Sequence, residues 1–549
     1  MTTPTPPAAL RGLPSNVGWT LTAFVVVALL IRLPFLDHSV WFDEACMANQ
    51  RIGTWPQLLA VLYRDIHPPL YVAFMFCWNS VFGDGEASMR MPPLIAGLVS
   101  IPLTYWAGHR LVGRNAALWA SMFLALSPVH VWYSGEARLY APMVACALVA
   151  VGTFDRILDP TLPRRRWLWW VHLANVAVML SLHYYLAVLV VLLAVAAPLL
   201  RGFDRTAVAI TLWHGVGLLL LGAFAAAKIA IGELATDQDY LRAMTAKELY
   251  LFVFDWCWTG HTLLAVDNLL DDLAAWSQEA IGIVLIAVGV VQLVKARRAQ
   301  PAGLLVPAFA LAIPTFLWGA ALVGLDKTYI ERSALPSLPF VYLLAGCGLA
   351  NLPSTARRTV GGAVLLLCIA SLIALHAFHQ EHWTVYKPHP DWRSATAYLS
   401  REIDHDGAGR AVFTSTPNPR SLSYYDDRIQ HVQNLTSPET PEAVGEKVRK
   451  RLGRTIGDYA EGVFREFVAH DARLLANAKM LVHRSASDPD RLRALAPMPD
   501  GICYLVRDHW HPNPAVDHTI EDLLVNPRVQ VLESRHFVAV SVHKVRLLP

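Results

Sequence analysis

Asp43 and Glu44 are the residues whose type and position best suit chemistry: they lie in WFDEA, just past the first hydrophobic segment. Carboxylates near a bilayer are costly unless a reaction or a partner needs them. A carboxylate partly shielded from water makes a usable general base. The plainer alternative is a pair of solvated charges that stop a helix. Adjacent residues do not share one helical face, so only one of the two is expected to point into a site. Trp41 and Phe42 suit the membrane interface, where aromatic side chains anchor a loop.

A second polar island, GEARLY, follows a later hydrophobic segment and offers Glu136, Arg138 and Tyr140. If it starts a helix, Glu136 and Tyr140 share a face and Arg138 points elsewhere. Such a triad suits an anionic headgroup; a solvated loop is the plainer reading. His67 precedes Pro68-Pro69, which fixes the chain entering the next segment. It can bind a phosphate or a carboxylate, or serve as a structural hydrogen-bonder. Arg90 opens the second long apolar segment. It reads as a snorkelling anchor, a phosphate contact, or an ion-pair partner for Asp43 or Glu44. Lys327, Tyr329, Glu331 and Arg332 lie together in DKTYIERSALPSLP. A lipid-phosphate leaving group needs cationic partners, and Arg offers a bidentate fork. His183, Tyr184 and Tyr185 read as interfacial anchors beside the same cavity.

The elements that must position these residues are membrane spans. The 549 residues are 54% hydrophobic and 16% charged, against roughly 25% charged in soluble domains. A net charge of +3, with the basic residues spread over loops, argues against a nucleic-acid partner. The seven cysteines are scattered without a CxxC, so neither a zinc site nor a redox motif is visible. Apolar runs of roughly 17–25 residues mark spanning helices. They fall near 18–36, 91–110, 115–131, 139–155, 167–182, 185–200, 207–231, 279–294, 302–323, 334–351 and 359–378. The first run lacks a clean small-residue cleavage site and reads as an uncleaved span.

The stretch from Trp167 to Leu200 would reach about 50 Å as one helix at 1.5 Å per residue. Basic clusters flank both ends, which predicts a hairpin with its tip at Ser181–Tyr185. Basic loops fall on alternate connections, so the inside-positive rule puts residues 1–17 in the cytoplasm. Residues 18–379 then form the transmembrane domain, with a large first external loop over 37–90. The apolar run after His67 is about 13 residues, a length that favours a re-entrant or interfacial helix; the alternative is a true twelfth span. In the long loop near 232–278, an amphipathic helix lying on the membrane is plausible. Beyond the last span the composition changes, and 380–549 reads as an external soluble α/β domain. AVFTSTP, GICYLVRD and RVQVLESRHFVAVSVHKV supply strands, and PDWRSATAYLSREID a helix. The tail has no Gly-rich phosphate loop, and reads as a lid or acceptor-binding unit.

The order of motifs carries a resemblance. WFDEA is followed by IHPPLY, FGDGEASMRMPPLIAG, SPVHVWYSGEARLYAP and YIERSALPSLPFVYLLAGCGL. Over roughly 18–350 this succession resembles bacterial C-fold membrane glycosyltransferases. These are related to the protein O-mannosyltransferases and the lipid A aminoarabinose transferases. The resemblance implies a polytopic helical fold of about eleven spans. It implies a polyprenyl-phosphate sugar donor, a cell-envelope acceptor and transfer at the external face of a bacterial inner membrane. By resemblance Asp43 activates the acceptor hydroxyl, Glu44 shapes the same site, and Arg138 and Arg332 contact the donor phosphate. Many relatives read Arg-Tyr in the late motif, where this chain has Arg332-Ser333. No cofactor is implied; with cationic side chains present, a divalent metal is possible but not required. The competing expectation is a transporter or flippase. It would need ionisable groups deep within spans, and Lys228 is its clearest candidate.

Overall fold

The computed structural model describes residues 15–48, 54–65, 67–163, 165–230, 243–260, 269–325, 328–377, 385, 389–407, 410–414, 420–431, 440–484, 488–496, 498, 500–509 and 514–549. Helices occupy all eleven predicted segments. Among the described residues, seven are long and apolar enough to cross a membrane alone, or eight if a bent pair counts as one. Of the others, Glu86–Leu111 is long but carries Arg90, Arg110 and three prolines. Arg166–Leu182 and Leu186–Arg201 are 17 and 16 residues, and His183–Tyr185 turns between them at the expected hairpin tip. The chain is a polytopic α-helical membrane protein with a C-terminal α/β part.

The bent pair is built by its sequence. Helices Arg114–Leu126 and Pro128–Ser134 meet at 59°. The residue before a proline avoids the helical region, and Ser127 is extended at φ −65°, ψ 121°. Its hydroxyl then accepts from the His130 N–H at 3.2 Å, capping the second helix. The break frees backbone carbonyls. Buried Arg32, at the end of the first span, donates to Ala125 O at 3.0 Å and to His130 Nδ1 at 2.9 Å. Gly135 follows, and a Cβ there would lie 2.7 Å from Phe35 Cβ. The chain thus packs directly on the first span before it enters GEARLY.

The first loop is itself helical, in Phe42–Ala45, Trp55–Arg64 and Leu70–Phe82. The last, at 13 residues, is shorter than a span. Lys228, at the end of helix Arg205–Ala230, donates to the carbonyls of Leu62 (3.0 Å) and Tyr63. These are last-turn carbonyls of helix Trp55–Arg64, where a cation is favoured by the helix dipole. The segment 252–259 does not lie on the membrane surface. Phe252, Trp256, Cys257 and Trp258 are buried, and Trp256 packs near Tyr133. An apolar run of this kind gains more by filling the bundle than by floating on it. Much of the rest of that loop lies outside the described residues.

The C-terminal part holds a six-stranded sheet of order β2-β3-β1-β4-β6-β5. The strands are β1 Arg410–Thr414, β2 Ile429–His431, β3 Met480–Arg484, β4 Ile502–Asp508, β5 Val529–Phe537 and β6 Val540–Leu547. The first four pair in parallel, and β6 and β5 add antiparallel. Val412 faces Trp392 and Leu399 of helix Trp392–Asp406, while Ala411 and Phe413 face Leu492 and Leu523. Both sheet faces are therefore covered, as parallel strands require. Asp391 caps helix Trp392–Asp406 by accepting from the Ser394 N–H at 3.0 Å. A helical hairpin, Pro441–Leu452 and Arg454–Ala476, was not legible in the sequence. It turns at Gly453 (φ +94°) and packs Val444, Val448 and Phe464 against Tyr63.

Polar ties bind this part to the first loop. Glu86 accepts from Arg393 and from the Tyr425 hydroxyl. The same hydroxyl accepts the Val40 N–H at 2.6 Å, and Tyr424 donates to Asp84 O at 2.7 Å. Glu86→Ala should remove the one acceptor that Arg393 and Tyr425 share. Hydrogen exchange at 37–40 and 420–425 is expected to rise roughly three- to tenfold, the scale of one or two lost hydrogen bonds. Exchange of β1 and β4 should not change.

Candidate functional site

The two adjacent acids have opposite surroundings. Glu44 has a side-chain exposure of 0%, against 18% for Asp43. Glu44 accepts from Arg90 Nε at 2.8 Å and Nη2 at 2.5 Å, and from the Ala137 N–H at 2.8 Å. Burial pushes its carboxyl up. The Arg90 charge and hydrogen bonds, His389 and the Ala137 N–H outweigh that and hold it below the usual range. Arg90 also donates to the carbonyls of Phe35 (3.3 Å), Leu36 (3.2 Å), His38 (2.5 Å) and Ser39 (3.2 Å). A guanidinium has five N–H groups, and all are used here. The phosphate role expected of Arg90 therefore finds no free donor; its partner is Glu44, the ion pair that was the other expectation.

Asp43 instead faces two arginines. Its Oδ2 lies 3.4 Å from Arg332 Nη2 and 3.9 Å from Arg138 Nε. Both arginines are buried, Arg138 at 7% exposure and Arg332 at 8%. Arg332 stands over the rings of Trp41 and Tyr140, each 5.6 Å away. It is delivered by the buried 3₁₀ turn Glu331–Ser337, which packs against helix Tyr140–Leu158. Arg138 Nε has no hydrogen-bond partner among the described residues. Burial disfavours its charge, but Asp43 above all, then Tyr140 and Asp65, hold its pKa above the usual arginine value. The carboxylate lies between two guanidiniums, whose N–H groups suit an incoming anion.

The GEARLY geometry differs from the helical expectation. The helix starts only at Tyr140, so 135–139 is a tight turn. Glu136 folds back to accept from Trp132 Nε1 at 2.7 Å, and it does not share a helical face with Tyr140. Arg138, expected to point elsewhere, is the member that faces Asp43. The Ala137 N–H bonded to Glu44 fixes that turn. His67 donates its backbone N–H to Asp65 at 2.7 Å, and its Nδ1 pairs with the same oxygen at 3.0 Å. Burial raises the Asp65 carboxyl, but the His67 hydrogen bonds and charge outweigh it. The His67 ring lies 5.5 Å from that of His183. Tyr329 is buried and close to the same wall, since Tyr185 donates to the Thr328 carbonyl. Lys327 lies outside the described residues.

Three residues here escaped the sequence reading. Asp65 stands two positions before His67 and was visible as an acid beside a histidine. Arg32 was visible as a lone charge in an apolar run. His389 opens the segment HPDWRSATAYL at the start of the tail, but nothing local gave the histidine a role. It enters from the start of the C-terminal part, with Nδ1 3.7 Å from Glu44 Oε2 and Nε2 3.9 Å from Glu136 Oε1. Among the described residues, no group of three His, Cys, Asp or Glu side chains is placed to hold a metal.

The fold and this site together define a helical membrane protein with an acid and two arginines clustered on the connections between its helices. Residues 66–228 match the family model described as dolichyl-phosphate-mannose-protein mannosyltransferase. The match includes His67, Arg90, Glu136, Arg138 and Tyr140, and leaves Asp43 and Arg332 outside. The chain is thus similar there to the family group that the motif order resembles. No curated protein matches the chain in sequence. Among solved structures, ArnT from Cupriavidus metallidurans in the apo state is 14% identical, with a TM-score of 0.49. That likeness covers 97% of this chain and 98% of ArnT. ArnT bound to undecaprenyl phosphate gives the same identity and score over 96% of this chain. The oligosaccharyltransferase AglB from Archaeoglobus fulgidus, in complex with an inhibitory peptide and a dolichol-phosphate, is 12% identical at a TM-score of 0.45. It covers 90% of this chain and 70% of AglB.

Arg90→Met should leave the Glu44 carboxylate buried without its counter-ion. The expected loss is about 3–5 kcal/mol of stability, read as a lower unfolding temperature in lipid. Adding Glu44→Gln should recover much of it. Because the Glu44 pKa is lowered, the pair's contribution is complete above the ordinary glutamate value of about 4 and is lost as pH falls through the lowered one. Wild-type thermal stability should therefore fall on acidification below that point, and the double variant should lose less.

Proposed function

We propose that this protein transfers a sugar from a polyprenyl-phosphate-linked donor to a hydroxyl of a cell-envelope acceptor. The observation that carries this reading is Asp43, a partly buried carboxylate set between the buried guanidiniums of Arg138 and Arg332. The family match over 66–228 supports the donor class. Asp43 takes the proton of the acceptor hydroxyl as that oxygen attacks the anomeric carbon. The bond from that carbon to the phosphate oxygen breaks, and the electron pair leaves with the lipid phosphate. The leaving group is already an anion, so no general acid is required. Arg138 and Arg332 stabilise the charge that gathers on it. Direct displacement inverts the anomeric centre. Glu44 is the buried anchor of the base-bearing loop, and Arg90 is its counter-ion. His67, turned by Asp65 beside Arg138, and Tyr140, under Arg332, line the donor side. No step needs a metal ion.

The reaction belongs at the external face of a bacterial inner membrane, with the N-terminus cytoplasmic and 380–549 an external unit. The inside-positive loops support that orientation. The transporter alternative gains nothing from its best candidate, because Lys228 is engaged by the end of helix Trp55–Arg64.

The test is a transfer assay on the full chain in lipid, pairing a panel of polyprenyl-phosphate sugars with envelope extract. Asp43→Asn should lower transfer by about a hundredfold or more, the scale of a lost general base, while still binding donor. Arg138→Ala and Arg332→Ala should each weaken donor binding as well as turnover. Equal activity in Asp43→Asn would assign the base elsewhere, and no transfer from any donor would remove the reading.

A further inference from the structure

The sequence gives the C-terminal part the character of a lid, yet a residue near its start reaches deep into the site. His389 is 7% exposed. Its Nδ1 donates to the Ser39 carbonyl at 3.1 Å. Its ring meets Trp132 edge to face at 5.0 Å and stands 5.7 Å from His38 and 6.1 Å from Trp41. On one side is Glu44, which anchors the loop that bears Asp43. On the other is Glu136, held by Trp132 in the turn that bears Arg138. The imidazole therefore fills the joint between the base-bearing loop and the arginine-bearing turn.

Other ties from the same part reach the same stretch. The Arg393 N–H donates to Ser39 Oγ at 3.2 Å, and its guanidinium reaches Asp37 at 3.2 Å and Glu86. The Tyr425 hydroxyl holds the Val40 N–H. Residues 37–40, immediately before Asp43, are thus gripped by Arg90 from the bundle side and by His389, Arg393 and Tyr425 from the tail. A carboxylate loses its value as a base if its loop wanders by about 1 Å.

We infer that His389 is a positioning residue: it locks the Asp43 loop against the Arg138 turn, so the C-terminal part completes the site. The effect on turnover rests on the transferase reading above; the effect on loop order does not. His389 touches neither donor nor acceptor in this scheme. Its removal should therefore slow the chemical step far more than it weakens donor binding.

The experiment compares wild type with His389→Ala and His389→Asn, each as the full chain in lipid nanodiscs. The Asn amide can donate to the Ser39 carbonyl as Nδ1 does. His389→Ala should raise hydrogen exchange in both 41–46 and 135–139 while β1, β4 and helix Ser354–Ala377 stay unchanged. It should lower kcat at least tenfold with the donor KM within threefold of wild type. His389→Asn should restore both readouts to within threefold. Exchange confined to the tail, or unchanged in either loop, would overturn the inference whatever the activity. So would a kcat within twofold of wild type, or a loss expressed only in KM. If wild type transfers no sugar, the transferase reading fails, and the exchange result still decides the joint.

Discussion

The site depends on one buried ion pair, Glu44 with Arg90. Two charges with no exposure are tolerated only where their geometry and remaining hydrogen bonds are complete. Here they are: the carboxylate takes two arginine N–H groups and the Ala137 N–H, and Arg90 spends its other donors on four carbonyls of 35–39. The pair therefore fixes three chain segments at once. It sets the end of the first span, the loop carrying Asp43 and the turn carrying Arg138. Without it, the Asp43 loop and the Arg138 turn would lose the bond from Glu44 to the Ala137 N–H that relates them.

That anchoring explains why two neighbouring acids differ so much. Glu44 is spent on structure, and its pKa is held low by its partners. Asp43, one residue earlier, keeps an open edge and looks at two guanidiniums. The two guanidiniums suit an anionic group at a place where a carboxylate is already waiting. Proximity and electrostatic stabilisation are the two terms that such a reaction most needs from a protein. The proline-induced break at Ser127 and the glycine contact at Gly135 serve the same end, because they deliver the Arg138 turn against the first span.

Much of this was legible in the sequence where the signal was local. Apolar runs marked all eleven helical segments, and the basic clusters around Trp167–Leu200 marked the hairpin. Asp43, Arg138 and Arg332 stood out as charges beside spans. The roles of Arg90, Glu136 and Glu44 were not separable, since each is decided by a partner remote in sequence. The role of His389 was hidden for the same reason: it meets Ser39, Glu44 and Glu136 only after the whole helical part has folded. The turn at 135–139 was misread because Glu136-Arg138-Tyr140 fits helical spacing, and only the Trp132 and Glu44 bonds show the chain is not yet helical there. The hairpin 441–476 hid in a charged stretch whose apolar residues are few.

The most direct test of the account is a structure of the full chain with a polyprenyl phosphate bound. The phosphate oxygens should lie at about 3 Å from guanidinium nitrogens of both Arg138 and Arg332, with the Asp43 carboxylate on the open side facing the acceptor. A phosphate held elsewhere, with Asp43 still closed between its two arginines, would contradict the assignment of that carboxylate as the base.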